Sequence, residues 1–93
     1  MRRAAKRDAI EPDIRYALER MQIPYRAVSC EALGDLEIIV DGRPVLLEIK
    51  SGNAPYTTAQ KARRAWLVQH GVSLDDYAPT VRSVADLEAW LCR

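Results

Sequence analysis

In this sequence of 93 residues, the side chains whose types and spacing could do chemistry are Asp35, Glu48 and Lys50. They bracket Asp41-Gly42, a two-residue turn signal between the apolar runs Leu36–Val40 and 45–50. With that dipeptide as the turn, Val40 faces Arg43, and counting back along both strands sets Asp35 directly opposite Glu48. Lys50, two residues beyond Glu48, falls on the same face and diagonal to Asp35. Directly opposed carboxylates have Cβ atoms about 4.5–5.5 Å apart, and their like charges destabilise a sheet. A fold can relieve this by splaying the side chains, protonating one, or placing a cation between them. Magnesium suits the last solution, because it binds oxygen and uses one or two carboxylates together with substrate phosphate. Spacing alone leaves two readings open: an ion site with a lysine beside it, or a solvated polar face. A bulge would cancel the alignment. Glu37, opposite Leu46 on that face, is a weaker ligand candidate.

The elements that must position these residues follow from periodicity. Leu36, Ile38 and Val40 face Val45, Leu47 and Ile49, so the side of the hairpin away from the acids is the core face. Before it, Ile14, Ala17, Leu18 and Met21 recur at helical spacing, and Pro12 suits the first turn, predicting a helix over 12–21. Ile23-Pro24 breaks that helix, and 25–30 reads as a strand. After a polar loop over 51–56, Thr57 and Gln60 open a helix as a capping box. It runs to His70, and Gly71 stops it. A strand over 78–82 follows, then a final helix capped by Ser83 and carrying Val84, Leu87, Trp90 and Leu91. The expected order is α-β-β-β-α-β-α, an α/β fold with a small mixed four-stranded sheet flanked by helices. The step from the third to the fourth strand is a parallel crossover.

Size and composition narrow the function classes. A chain of 93 residues with 48% apolar content supports a single domain, 1–93, with one core. No run approaches the roughly 18 apolar residues of a membrane span. The basic segment over 1–10 lacks the apolar stretch of a signal peptide, so a soluble, cytoplasmic protein with no membrane partner is expected. Cys30, Cys92 and the lone His70 are too few and too scattered for zinc. His70 suits the C-terminal end of its helix, and Trp66 and Trp90 are expected in the core. Net charge is only +1, yet Arg2, Arg3, Lys6 and Arg7 cluster at the start, and Lys61, Arg63 and Arg64 in the middle. Such clusters contact phosphates or form solvated helix faces.

Gly34-Asp35-Leu36, followed after a turn by Leu47-Glu48-Ile49-Lys50, resembles the signature of the PD-(D/E)xK nuclease superfamily. The surrounding order is similar to its VRR-NUC branch. Glu11 opens the first helix, Glu48-Ile49-Lys50-Ser51-Gly52 ends a strand, and Thr57 and Gln60 lead into a helix with Trp66-Leu67. Thr80-Val81-Arg82-Ser83 then precedes an acidic-apolar terminal helix. The resemblance spans about 8–91. It departs at Gly34, where the family commonly has proline, and the VRR tripeptide is present only as Val81-Arg82-Ser83.

The resemblance implies a restriction-endonuclease-like core and a DNA endonuclease that hydrolyses phosphodiester bonds with Mg2+ or Mn2+. Asp35, Glu48 and the Ile49 carbonyl would ligate the metal, with Lys50 acting on water or phosphate. Glu11 resembles the family's helix-borne acid; its other role is a first-turn glutamate favoured by the helix dipole. Gln60 corresponds to a glutamine that contacts phosphate or the site lysine; its other role is the capping box. In a nuclease, Arg2, Arg3, Lys6, Arg7, Lys61, Arg63 and Arg64 would be DNA contacts. Stand-alone members resemble homodimer subunits, which implies paired sites suited to branched or junction DNA. The rival readings are a nucleic-acid-binding module that does not cut, a nuclease subunit needing a partner complex, and a small interaction domain.

Overall fold

The first helix, α1, runs Glu11–Arg20 in the computed structural model, which describes residues 8–28 and 34–93. Its start, one residue earlier than expected, is held by Asp8. The Ile10 N–H donates to Asp8 Oδ1 (3.1 Å) and the Glu11 N–H to the Asp8 carbonyl (3.0 Å). Ile14, Ala17 and Leu18 are buried as the helical period requires. Met21, the fourth member of that stripe, is 38% exposed. The chain leaves the helix there: Gln22 takes φ 59° and the Ile23 N–H reaches back to the Leu18 carbonyl at 2.9 Å, so the stripe loses its register.

The hairpin forms in the expected register. Strand β1 is Tyr25–Ala27, β2 is Leu36–Val40 and β3 is Arg43–Ile49. Asp41 and Gly42 have φ 52° and 75°, the two positive values a type I′ turn demands. Leu36 pairs with Leu47, Glu37 with Leu46, Ile38 with Val45 and Val40 with Arg43. The core face over 36–49 is buried except at its turn end, where Val40 is partly exposed. The expected strand over 25–30 is shorter among the described residues, and Cys30 lies outside them, as do Arg2, Arg3, Lys6 and Arg7.

Helix α2, Thr58–Gln69, is capped at Thr57, has His70 at its C-cap and ends into Gly71 with φ 82°. A short helix α3, Leu74–Tyr77, follows, an element absent from the expected order. Its signals were Ser73 in the N-cap position and two aspartates in the first turn. Strand β4 is only Thr80–Val81, shorter than the expected 78–82. Pro79 has no N–H for the ladder, and the Arg82 N–H turns instead to the Asp86 carboxylate at 2.8 Å. Helix α4, Val84–Leu91, is capped by Ser83 as expected.

The described residues thus form a mixed α/β fold of four helices and one open sheet ordered β1-β2-β3-β4. Only the β3–β4 pairing is parallel, so the third-to-fourth step is the expected crossover. Ile14 and Leu18 of α1, Leu87 of α4 and Leu36, Ile38 and Leu47 of the sheet are fully buried together. Trp90 packs at the edge of this cluster, whereas Trp66, expected in the core, is 54% exposed. On α2 the buried positions are Gln60 and Leu67, so the helix turns its polar glutamine inward and its tryptophan outward. No helix among the described residues is long and apolar enough to cross a membrane.

Candidate active site at the end of β3

Asp35 enters β2 by donating its N–H to the Leu47 carbonyl at 2.9 Å. Its carboxylate Oδ2 then accepts the Ile49 N–H at 2.7 Å, which locks the acid across the end of β3. A residue's N–H and C=O leave a strand on the same side, so the Ile49 carbonyl lies on the β2 edge of β3 as well. Glu48 is 6% exposed and shares a hydrogen bond with Asp35, the neighbour that counting from the turn predicts. On its other edge β3 is held by β4: the Glu48 N–H donates to the Pro79 carbonyl (2.9 Å) and the Lys50 N–H to the Val81 carbonyl (3.1 Å).

Lys50 is buried, an unusual place for a lysine. Its Nζ donates to Gln60 Oε1 at 2.8 Å, while Gln60 Nε2 donates to Glu48 Oε2 at 3.1 Å. The same Gln60 completes the capping box. Its Oε1 accepts the Thr57 N–H (2.8 Å), and its own N–H donates to Thr57 Oγ1 (3.1 Å). Two donors on Oε1 and a carboxylate on Nε2 allow only one orientation of the amide. The capping and site roles of Gln60 are therefore performed at once, and the start of α2 is fastened to the acid pair.

Burial pushes the Glu48 carboxyl up to about 8, and the hydrogen bond and negative charge of Asp35 add to the shift. The cations Lys50 and Arg64 pull the other way and do not offset it. Of the three ways to relieve opposed carboxylates, this upward shift favours a proton held on Glu48. The two carboxyls and an adjacent strand carbonyl are hard oxygen donors of the kind Mg2+ and Mn2+ accept, so the residues fit such an ion. Among the described residues, no group of three or more Asp, Glu, His or Cys side chains is gathered as a metal cluster. Glu11 is buried, and its carboxylate pairs with Arg15 on the next turn of α1 at 2.7 Å. Glu37, the weaker candidate, pairs with Arg26 of β1 at 2.8 Å.

Several residues around the site carried no sequence signal of their role. The Asp8 carboxylate accepts both the N–H (2.7 Å) and the hydroxyl of Ser51, tying the start of α1 to the residue after Lys50. Burial works to raise the Asp8 pKa. Hydrogen bonds from the Ser51 hydroxyl and the N–H groups of Ile10 and Ser51, with the charge of Lys50, outweigh it and hold it below its ordinary value. Tyr56 hydrogen-bonds Thr80 Oγ1 (2.5 Å) and lies under two cations, with Arg64 at 4.6 Å and Lys50 at 5.8 Å from its ring centre. Arg82 pins the loop over 51–56 by donating to the carbonyls of Gly52 (2.8 Å) and Ala54 (3.0 Å).

Of the basic residues on α2, Lys61 is exposed. Arg64 turns inward to the Ala78 carbonyl at 3.0 Å, and Arg63 reaches the Tyr77 hydroxyl at 3.4 Å. The cluster is thus partly engaged within the fold. No protein-family model, curated protein or solved structure matches this chain.

Proposed function

We propose that this chain is a metal-dependent DNA endonuclease with a restriction-endonuclease-like core of the VRR-NUC type. The observation that carries the reading is one buried cluster: Glu48 hydrogen-bonded to Asp35, with Lys50 joined to Glu48 through Gln60. A buried like-charged pair that must hold a proton costs stability, and such costs concentrate where a ligand or reaction repays them. An interaction domain would have no use for the arrangement.

A divalent ion, when bound, supplies Lewis-acid polarisation of a phosphoryl oxygen and of water. Asp35 and Glu48 would hold it, with the Ile49 carbonyl as a further oxygen. Lys50 sits in a poorly hydrated site, where an ammonium stabilises negative charge developing on phosphate more strongly than in water. Gln60 keeps that ammonium aimed by accepting from it, and keeps the Glu48 carboxyl aimed by donating to it. The hydrogen bond from the Ile49 N–H holds the Asp35 carboxylate at the end of β3.

The test is cleavage of duplex, flapped and four-way-junction DNA with Mg2+ or Mn2+, comparing wild type with Lys50→Ala. Metal-dependent cutting that falls by about 100-fold or more in the variant is the expected result. Tight, salt-sensitive binding of these DNAs with no cutting by wild type would replace the reading with a binding module.

A further inference from the structure

The loop over 51–56 ends in Tyr56, a half-buried side chain at the residue before the cap of α2. Its hydroxyl shares a hydrogen bond with Thr80 Oγ1 at 2.5 Å. Thr80 is the β4 residue paired with Glu48, so the ring is tied to the strand position beside the acid. Arg82 holds the same loop at the Gly52 and Ala54 carbonyls, which limits how far the ring can move.

Two basic side chains share this ring. Arg64 Cζ lies 4.6 Å and Lys50 Nζ 5.8 Å from its centre, both within the reach at which the negative face of an aromatic ring attracts a cation. Each has another anchor: Arg64 donates to the Ala78 carbonyl and Lys50 to Gln60 Oε1. A lysine is a compact donor group on a flexible four-carbon stem. One hydrogen bond to Gln60 ties its Nζ to the start of α2 but leaves the stem free to swing about that contact. The ring supplies a second point, from the loop side, in a buried place where water competes least. A leucine would fill the same space if packing were the only requirement. Only an aromatic ring offers a face that attracts a cation.

We infer that Tyr56 is a positioning residue of the candidate site, whose ring face holds the Lys50 amine in place. It acts through Lys50. The inference rests on the phosphodiesterase reading for the reaction that Lys50 serves, and adds to that reading the side chain that aims it.

The experiment compares wild type with Tyr56→Phe, Tyr56→Leu and pentafluorophenylalanine at position 56, all in the full chain. The first readout is the pair of Hε resonances of Lys50 in lysine-labelled protein without DNA or metal, assigned by their absence from Lys50→Ala. Two separate resonances mark a side chain held in one place; a merged one marks free rotation. The second readout is the single-turnover cleavage rate and the DNA affinity with Mn2+. Tyr56→Phe keeps the ring and should resemble wild type in both. The fluorinated ring keeps its shape but loses the negative face, and Tyr56→Leu loses the ring. Both should merge the resonances and slow cleavage roughly 10- to 100-fold with DNA affinity unchanged. Because the fluorinated ring still fills the space, a Tyr56→Leu protein that fails to fold does not remove the test. Separate resonances in the fluorinated variant would overturn the inference. So would merged resonances with a wild-type rate, or a loss in Tyr56→Phe as large as in the fluorinated variant. Absence of cleavage by wild type would instead overturn the phosphodiesterase reading, and the resonances would still decide whether Tyr56 holds Lys50.

Discussion

At the scale of single residues, the protonation of Glu48 is the property with the most consequences. In the folded protein it keeps its proton up to about pH 8, whereas an ordinary glutamate ionises near 4.5. The native state therefore binds more protons than the unfolded chain between those values, and the stability of the metal-free protein falls as pH rises through that window. Asp35→Asn removes the like charge, and its amide oxygen can still accept the Ile49 N–H. Above pH 8 the variant should melt higher than wild type, while lacking the rise in melting temperature expected of wild type on addition of Mn2+. Parallel melting curves for the two proteins across the pH range would show that Asp35 is not a source of the strain. Gln60 offers a second residue-scale prediction, because it serves both cap and site. Thr57→Ala should cost about 1 kcal/mol of stability through the lost cap and leave cleavage unchanged. Gln60→Ala should also slow cleavage on the order of 100-fold through misplacement of Lys50. Thermal melts paired with single-turnover rates separate the two effects.

At the scale of elements, the site is a junction of strand ends and helix starts. β2 delivers Asp35, β3 delivers Glu48 and Lys50, and α2 delivers Gln60, while Asp8 and Arg82 hold neighbouring segments in place. The entry into β2 depends on Gly34, whose φ is 123°. Proline is confined near −65° and cannot adopt that value, so this backbone path into Asp35 is closed to it. A Cβ at position 34 would also sit 3.3 Å from the Leu47 carbonyl oxygen. Gly34→Ala should therefore cost about 1–3 kcal/mol and weaken Mn2+ binding by displacing Asp35. Gly42→Ala, where an added Cβ meets nothing within 4 Å, should cost about 1 kcal/mol with Mn2+ binding intact. Chemical denaturation and calorimetric titration of the two variants make the comparison.

At the scale of the whole molecule, a net charge of +1 gives no general attraction to a polyanion, so the proposed DNA contacts depend on where single cations stand. The exposed cation at the start of α2 is Lys61, beside the capping box that fastens the helix to the site. Arg64, in contrast, packs on Tyr56 and lowers the Glu48 pKa from within the fold. Lys61→Ala should weaken duplex binding equally for all sequences and reduce the salt slope by about 0.9, the loss of one phosphate contact. Arg64→Ala should lower thermal stability more than it lowers binding. Equal salt slopes for wild type and Lys61→Ala would move the DNA path away from α2.

The sequence by itself determined the features that depend on near neighbours. Period-two alternation and an Asp-Gly turn allow one hairpin register, because a slip by one residue would turn Leu36, Ile38 and Leu47 to the wrong face. Asp35 opposite Glu48 follows from that register alone. The cap at Thr57, the stop at Gly71 and the cap at Ser83 are likewise local, decided within about four residues of chain. Only the tertiary structure decided how dry each side chain is and which distant group it meets. Trp66 has a helical neighbourhood as apolar as that of Leu67, yet α2 packs on its Gln60 and Leu67 side, so the tryptophan faces outward. Glu11 ends against Arg15, and Asp8 against Ser51, 43 residues on. The shift of Glu48 to about 8 comes first from desolvation by everything packed around it. Burial is a sum over contacts from the whole chain, and no short window of sequence contains it.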